Sequence, residues 1–151
     1  MTCDRIPKTN RPINRIIIHC SATKPSMGIG AKEIRRWHMD KGWSDIAYHF
    51  VVRRDGLLEL GRDINRMGAH VKGFNRGSIG VCLVGGVDEQ LKPDDNYTDN
   101  QWLTLWHTLQ FLKMDYPDAS ITGHNDHTLM KACPCFDVGD ELLSGRLCGI
   151  E

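Results

Sequence analysis

The sequence predicts a single α/β domain in which helices flank a central mixed β-sheet. Three observations carry that expectation. Short β-branched or apolar runs alternate with helix-period segments, the pattern of a layered sheet-and-helix domain. An Asp55-Gly56 pair between two strand-like runs marks a hairpin, so the sheet contains an antiparallel pair. The 151 residues are the length of one domain and can bury a core without disulfide staples.

Each element has its own local reason. Residues 1–12 are polar with two prolines and read as a loose leader, leaving 13–151 as the domain. Ile13 to Cys20 is a buried strand, because Ile16-Ile-Ile18 is β-branched and continuous. After a loop from Lys24 to Gly30, Ala31 to Lys41 is a helix with Ile34, Trp37 and His38 on one face, stopped by Gly42. Ala47 to Arg53 and Leu57 to Leu60 are the hairpin strands; strict alternation puts Tyr48 and Phe50 on one side and His49 on the other. A glycine-rich loop from Gly61 to Gly77 leads to the apolar strand Ser78 to Val84. A polar loop follows, and Thr98-Asp-Asn-Gln101 has capping-box spacing ahead of Trp102, Leu105, Trp106, Leu109 and Leu112 at helical period. Tyr116-Pro117 ends that helix. Ala119 to Gly123 is a short strand, His124 to Phe136 a loop, and Val138 to Leu143 a weak helix.

Composition narrows the function classes. The 19 basic residues balance 19 acidic ones, so no global field draws the chain to nucleic acid or anionic membrane. The longest apolar stretch, Ile79 to Val87, has nine residues including three glycines, far short of a bilayer span. The N-terminus lacks the hydrophobic core of a signal peptide, so the six cysteines are expected as thiols or metal ligands and not as a disulfide framework. Phosphate-loop, dinucleotide-fingerprint, nucleophile-elbow and H-E-x-x-H patterns are all missing.

What remains is histidines and thiols at strand exits. His19 follows the triple isoleucine, His124 follows Ile121-Thr-Gly123, and Cys133 lies on the loop beyond. Binding crevices form at such strand ends, and two imidazoles with one thiolate suit a zinc site that keeps a fourth position open. Seven histidines offer many other triples, however. His127 is a rival ligand, His38 reads as a core histidine, His107 as a half-exposed one, and His70 as a loop residue beside a groove. Cys82 reads as a small buried hydrophobe.

The motifs Ile17-Ile-His-Cys-Ser-Ala22, Gly42-Trp-x-Asp-x-x-Tyr-His-Phe50, Arg54-Asp-Gly56, Asn75-x-x-Ser-Ile-Gly80, Gly123-His124 and Lys131-Ala-Cys-Pro134 occur in a recognisable order. In that order they resemble the zinc-dependent N-acetylmuramoyl-L-alanine amidases of the type 2 and peptidoglycan-recognition group, most of all the small phage amidases. The resemblance spans roughly residues 13–143. It implies the amidase/peptidoglycan-recognition fold, one catalytic Zn²⁺ held by His19, His124 and Cys133, catalytic roles for Tyr48 and Lys131, and a substrate groove lined by His70, Asn75 and Ser78. It further implies an endolysin that cuts the amide between N-acetylmuramic acid and L-alanine of bacterial peptidoglycan. Such an enzyme would be monomeric, made in the host cytoplasm and released to the cell wall. Some phage amidases of this type also bind and inhibit the phage's single-subunit RNA polymerase, so that partner is a further expectation. Two features depart from the family pattern: the loop from His124 to Cys133 is one residue longer, and Cys135 is a thiol where relatives have none. The competing readings are a peptidoglycan-binding module without catalysis, disfavoured by the presence of Cys133, and a metal-independent hydrolase pairing Cys133 with His19.

Overall fold

The isoleucine run that opens the domain becomes its centre. In the computed structural model, which describes residues 6–150, the strand β1 (Arg15–Cys20) has Ile16, Ile17 and Ile18 with no exposed surface. It is hydrogen-bonded in parallel to β4 (Ser78–Leu83) on one side and to β5 (Ser120–Gly123) on the other. β2 (Phe50–Val52) runs parallel to β4, and β3 (Leu58–Leu60) closes the edge antiparallel to β2, giving the order β3-β2-β4-β1-β5. The expected mixed sheet is therefore present, with the Asp55-Gly56 hairpin as its antiparallel corner. Gly56 there takes a positive φ of 89°, a conformation glycine adopts without strain.

Parallel strands need cover on both faces, and the helices divide that work. α1 (Ala31–Asp40) lays Ala31 and Ile34 on one face against Val51, Cys82 and Val84. α2 (Asp99–Asp115) packs Trp102, Leu105, Leu109 and Leu112 on the other face, over Ile16, Ile18, Phe50, Val52, Val81 and Leu83. The short α3 (Val138–Ser144) adds Val138 to that second core. Among the described residues no helix is long and apolar enough to cross a membrane.

Two local expectations change. The strand expected from Ala47 is regular only from Phe50, because the backbone bends at Ala47 and His49. Pairing persists without regular geometry, through Gly61 N–H to the His49 carbonyl and Arg62 N–H to the Tyr48 carbonyl. The leader from residue 6 to 12 is tied down: Ile6 joins the core, Thr9 N–H donates to the Tyr116 hydroxyl, and Arg11 Nε donates to the Ile64 carbonyl. Residues 1–5 of that segment, Cys3 among them, lie outside the described residues.

The capping box at the start of α2 does more than its local pattern implies. Thr98 Oγ1 accepts from Gln101 N–H at 3.1 Å and donates to the Arg54 carbonyl at 2.7 Å. The fully buried Gln101 amide reaches the carbonyls of Val52 and Val84 at 3.2 and 2.8 Å, joining the helix start to the ends of β2 and β4. Thr98→Ala is expected to cost about 1–2 kcal/mol, the range for losing an N-cap side chain, measured as a lower urea midpoint with an unchanged slope.

Candidate active site

The register of the central strands builds the site. Ile18 of β1 pairs with Gly123 of β5, so the next residues, His19 and His124, leave the sheet side by side with ring centroids 4.9 Å apart. A 3₁₀ turn at His124–Asp126 then starts the loop that returns Cys133. Asn125 holds that loop: its N–H donates to the Cys133 carbonyl at 2.8 Å and its side chain reaches the carbonyls of Ala132 and Phe136. Cys20 N–H points at Cys133 Sγ at 3.0 Å. The outcome is a group of three ligand atoms, one each from His19, His124 and Cys133, all within 4.8 Å of one another. His19 is buried and the other two are half-buried.

The surroundings keep these groups ready for a cation. Burial, with the neighbouring imidazoles of His70, His124 and His127, holds His19 far below the usual histidine range. Burial also lowers His124, and the positive charge of Lys131 adds to it. Both rings are therefore neutral near pH 7 and have lone pairs to offer. Cys20 is pushed up to about 12, chiefly by its side-chain hydrogen bond with Cys133, so it stays a thiol beside the ligand sulfur. His124 and Cys133 line a cleft of about 280 Å³ together with Trp37, His38, Tyr48 and Lys131, and His19 is buried beside them. Burial raises the Tyr48 phenol far above its ordinary range, with the Cys82, Cys133 and Cys20 thiols reinforcing it, so it remains a hydrogen-bond donor.

The strand-alternation expectation for Tyr48 is corrected here. Phe50 packs into the core under α2, whereas Tyr48 packs with Ile34 and Val51 on the opposite face, 5.0 Å from the His19 ring. The bend at His49 breaks the period of two and turns Tyr48 into the cleft. His38 is the core histidine expected, its Nδ1 accepting from Ala47 N–H at 2.9 Å. His127 stands outside the three-ligand group, its Nε2 2.8 Å from Thr122 Oγ1. Cys135, at a φ of 73°, is directed to the Gly86 carbonyl at 3.1 Å and stands outside the three-ligand group. Of the residues expected along the substrate groove, His70 and Ser78 are buried and Asn75 is half-buried. His70 is 7% exposed and Ser78 has no exposed surface, because the loop folds back under His19 and its polar groups bond to one another. Trp37, read only as a residue of the apolar helix face, lines the cleft. Its aromatic side chain on the face shared with His38 was the signal available.

Compared with known proteins, residues 9–136 match the family model described as N-acetylmuramoyl-L-alanine amidase, a span that contains His19, Tyr48, His124, Lys131 and Cys133. The chain belongs to the N-acetylmuramoyl-L-alanine amidase family. The amidase is 47% identical over 134 residues to the endolysin of Enterobacteria phage K11, covering 89% of this chain and 88% of that one. It is 47% identical over 131 residues to the endolysin of Escherichia phage T7, covering 87% and 86%. Among solved structures, the endolysin N-acetylmuramoyl-L-alanine amidase LysCS from Clostridium intestinale superposes with a TM-score of 0.72 at 26% identity, over 86% of this chain and 88% of that one. The protein is accordingly an enzyme with N-acetylmuramoyl-L-alanine amidase activity.

Buried neutral histidines give the amidase a defined acid sensitivity. Burial pushes His38 and His49 down to about 4 and His70 down to about 3, against an ordinary value near 6.5. Between those limits the unfolded chain takes up protons that the folded one refuses, so their stabilising contribution is complete above about 6.5 and is lost as pH falls toward 4. Urea midpoints of chelator-treated protein are expected to decline steadily from pH 7 to 4. A flat profile over that range would contradict the buried neutral assignment.

Proposed function

We infer that the amidase is a zinc hydrolase that cuts the amide joining the lactyl group of N-acetylmuramic acid to L-alanine in bacterial peptidoglycan, serving a phage or prophage as its endolysin. One observation carries this reading: the ligand atoms of His19, His124 and Cys133 lie within 4.8 Å of one another, and His124 and Cys133 line the cleft that holds Tyr48 and Lys131. The donor set suits the ion. Around a tetrahedral zinc, a sulfur at about 2.3 Å and a nitrogen at about 2.0 Å lie about 3.6 Å apart, and Cys133 Sγ stands 4.0 Å from His19 Nδ1. Three protein donors leave the fourth position for water or substrate, the arrangement of catalytic sites. Zinc held there supplies the Lewis acidity that polarises an amide carbonyl and acidifies water.

The chain's own residues provide the rest. Tyr48, kept protonated, donates a hydrogen bond toward a substrate oxygen in the cleft. Lys131, exposed at the cleft wall, places an ammonium where negative charge grows on the carbonyl oxygen as the amide is attacked. A Cys133–His19 nucleophile pair is the competing chemistry, and their 4.0 Å separation is the observation behind it. That reading leaves the converging His124 without a role.

Cys133→Ser is expected to lose bound zinc and activity together, while Lys131→Ala keeps zinc and turns over about 10²–10³-fold more slowly, the usual loss for one oxyanion-stabilising group. Metal analysis beside a peptidoglycan-release assay measures both. Full zinc stoichiometry in Cys133→Ser would overturn the ligand set, and activity that survives complete chelation would favour the Cys–His pair. Mass spectrometry of digested sacculi is expected to find free lactyl-muramic termini and new L-alanine amino ends.

A further inference from the structure

In the motif Asn75-x-x-Ser-Ile-Gly80, Ser78 and Gly80 are buried, and Asn75, Ser78 and Gly80 each abut His70. Asn75 Oδ1 accepts from the backbone N–H groups of His70 and Val71 at 2.7 and 2.8 Å, fixing where the His70 backbone sits. A Cβ at residue 80 would come within 2.8 Å of the His70 ring, so only glycine leaves room for the imidazole to lie against the sheet. Ser78 Oγ meets His70 Nε2 at 3.2 Å, and on the other side of the ring His70 Nδ1 meets His19 Nε2 at 2.8 Å.

Donor and acceptor roles along this chain follow from its far end. The Asn75 carbonyl can only accept, and Ser78 Oγ lies 3.0 Å from it, so the single hydroxyl proton of Ser78 goes there. The Ser78 oxygen then accepts from His70 Nε2–H. A neutral imidazole with its proton on Nε2 has a bare Nδ1, which accepts from His19 Nε2–H. His19 is left with its lone pair on Nδ1, the nitrogen that faces Cys133 Sγ at 4.0 Å.

We propose that His70, supported by Ser78, is a positioning residue that locks His19 in the Nε2–H tautomer and presents its Nδ1 to the metal. The proposal rests on the zinc reading above and assigns the motif to the support of a ligand instead of to substrate. Partners that hold the second nitrogen of a ligating histidine fix ring orientation and basicity, and losing one weakens metal binding roughly 10–100-fold.

The test uses the full chain. Imidazole ¹⁵N and ¹³C NMR of the metal-free wild type is expected to show His19 protonated on Nε2. His70→Leu should blur that preference and raise the zinc dissociation constant, read by competition with a chromophoric chelator, by roughly tenfold or more. His70→Asn, whose side-chain oxygen can accept near the position of Nδ1, should restore much of both. A wild-type His19 protonated on Nδ1 overturns the proposal, and so does unchanged zinc affinity in a folded His70→Leu. Should that variant fail to fold, the wild-type spectrum and Ser78→Ala, expected to loosen the tautomer less, still decide. A wild type that binds no zinc, or a Cys133→Ser that binds it fully, sinks the metal reading separately, while the His19 tautomer still scores the hydrogen-bond chain.

Discussion

The pairing of β1 with parallel neighbours on both sides is the constraint from which the site follows. Parallel strands end at the same edge of a sheet, so residues that follow β1 and β5 emerge together however far apart they lie in sequence. Ile16, Ile17 and Ile18 secure this by filling both faces of the central strand with β-branched side chains that have no exposed surface. Burial ends where the isoleucines end, and the first residue beyond them is His19. A one-residue slip of β1 against β5 would separate the two imidazoles and expose alternate isoleucines to the wrong layer. The hydrophobic core and the histidine pair thus depend on the same register.

The third ligand depends on a different device. Cys133 comes from a loop, and loops hold position only when their backbone polar groups are satisfied. Asn125 ties the loop's start to its end through Cys133, Ala132 and Phe136, and the Tyr97 hydroxyl donates to the Pro134 carbonyl at 2.6 Å. Tyr97 itself packs edge-on against Trp102 of α2, so the loop is anchored to the layer opposite the cleft. The connection between His124 and Cys133 therefore holds the cysteine in place, with Leu129 and Met130 exposed along it.

Much of this was legible in the chain. Strand β1, helices α1 and α2, the Asp55-Gly56 hairpin and the mixed sheet rest on local signals, namely period, capping and turn chemistry, and each forms close to where those signals place it. The candidate triple was visible as chemistry-bearing residues at strand exits, but only as one choice among several, because spacing cannot tell His124 from His127. Tertiary contacts separate them: His127 turns to Thr122 and Phe74, while His124 faces His19.

The sequence by itself determined which segments become strands and helices and which residue types stand at their ends, since these follow from interactions within a few residues. Only the tertiary structure decided which way the side chains turn at those ends. Tyr48 enters the cleft because the backbone bends at His49, against the alternation its neighbours imply. His70 is buried against His19 and bonded to Ser78, because the polar groups of the segment leading into β4 need partners there. Ile6 joins the core, and Thr9 close by is tied to Tyr116, 107 residues away in the chain. In each case the deciding partner is distant in sequence, and a local pattern carries no record of it.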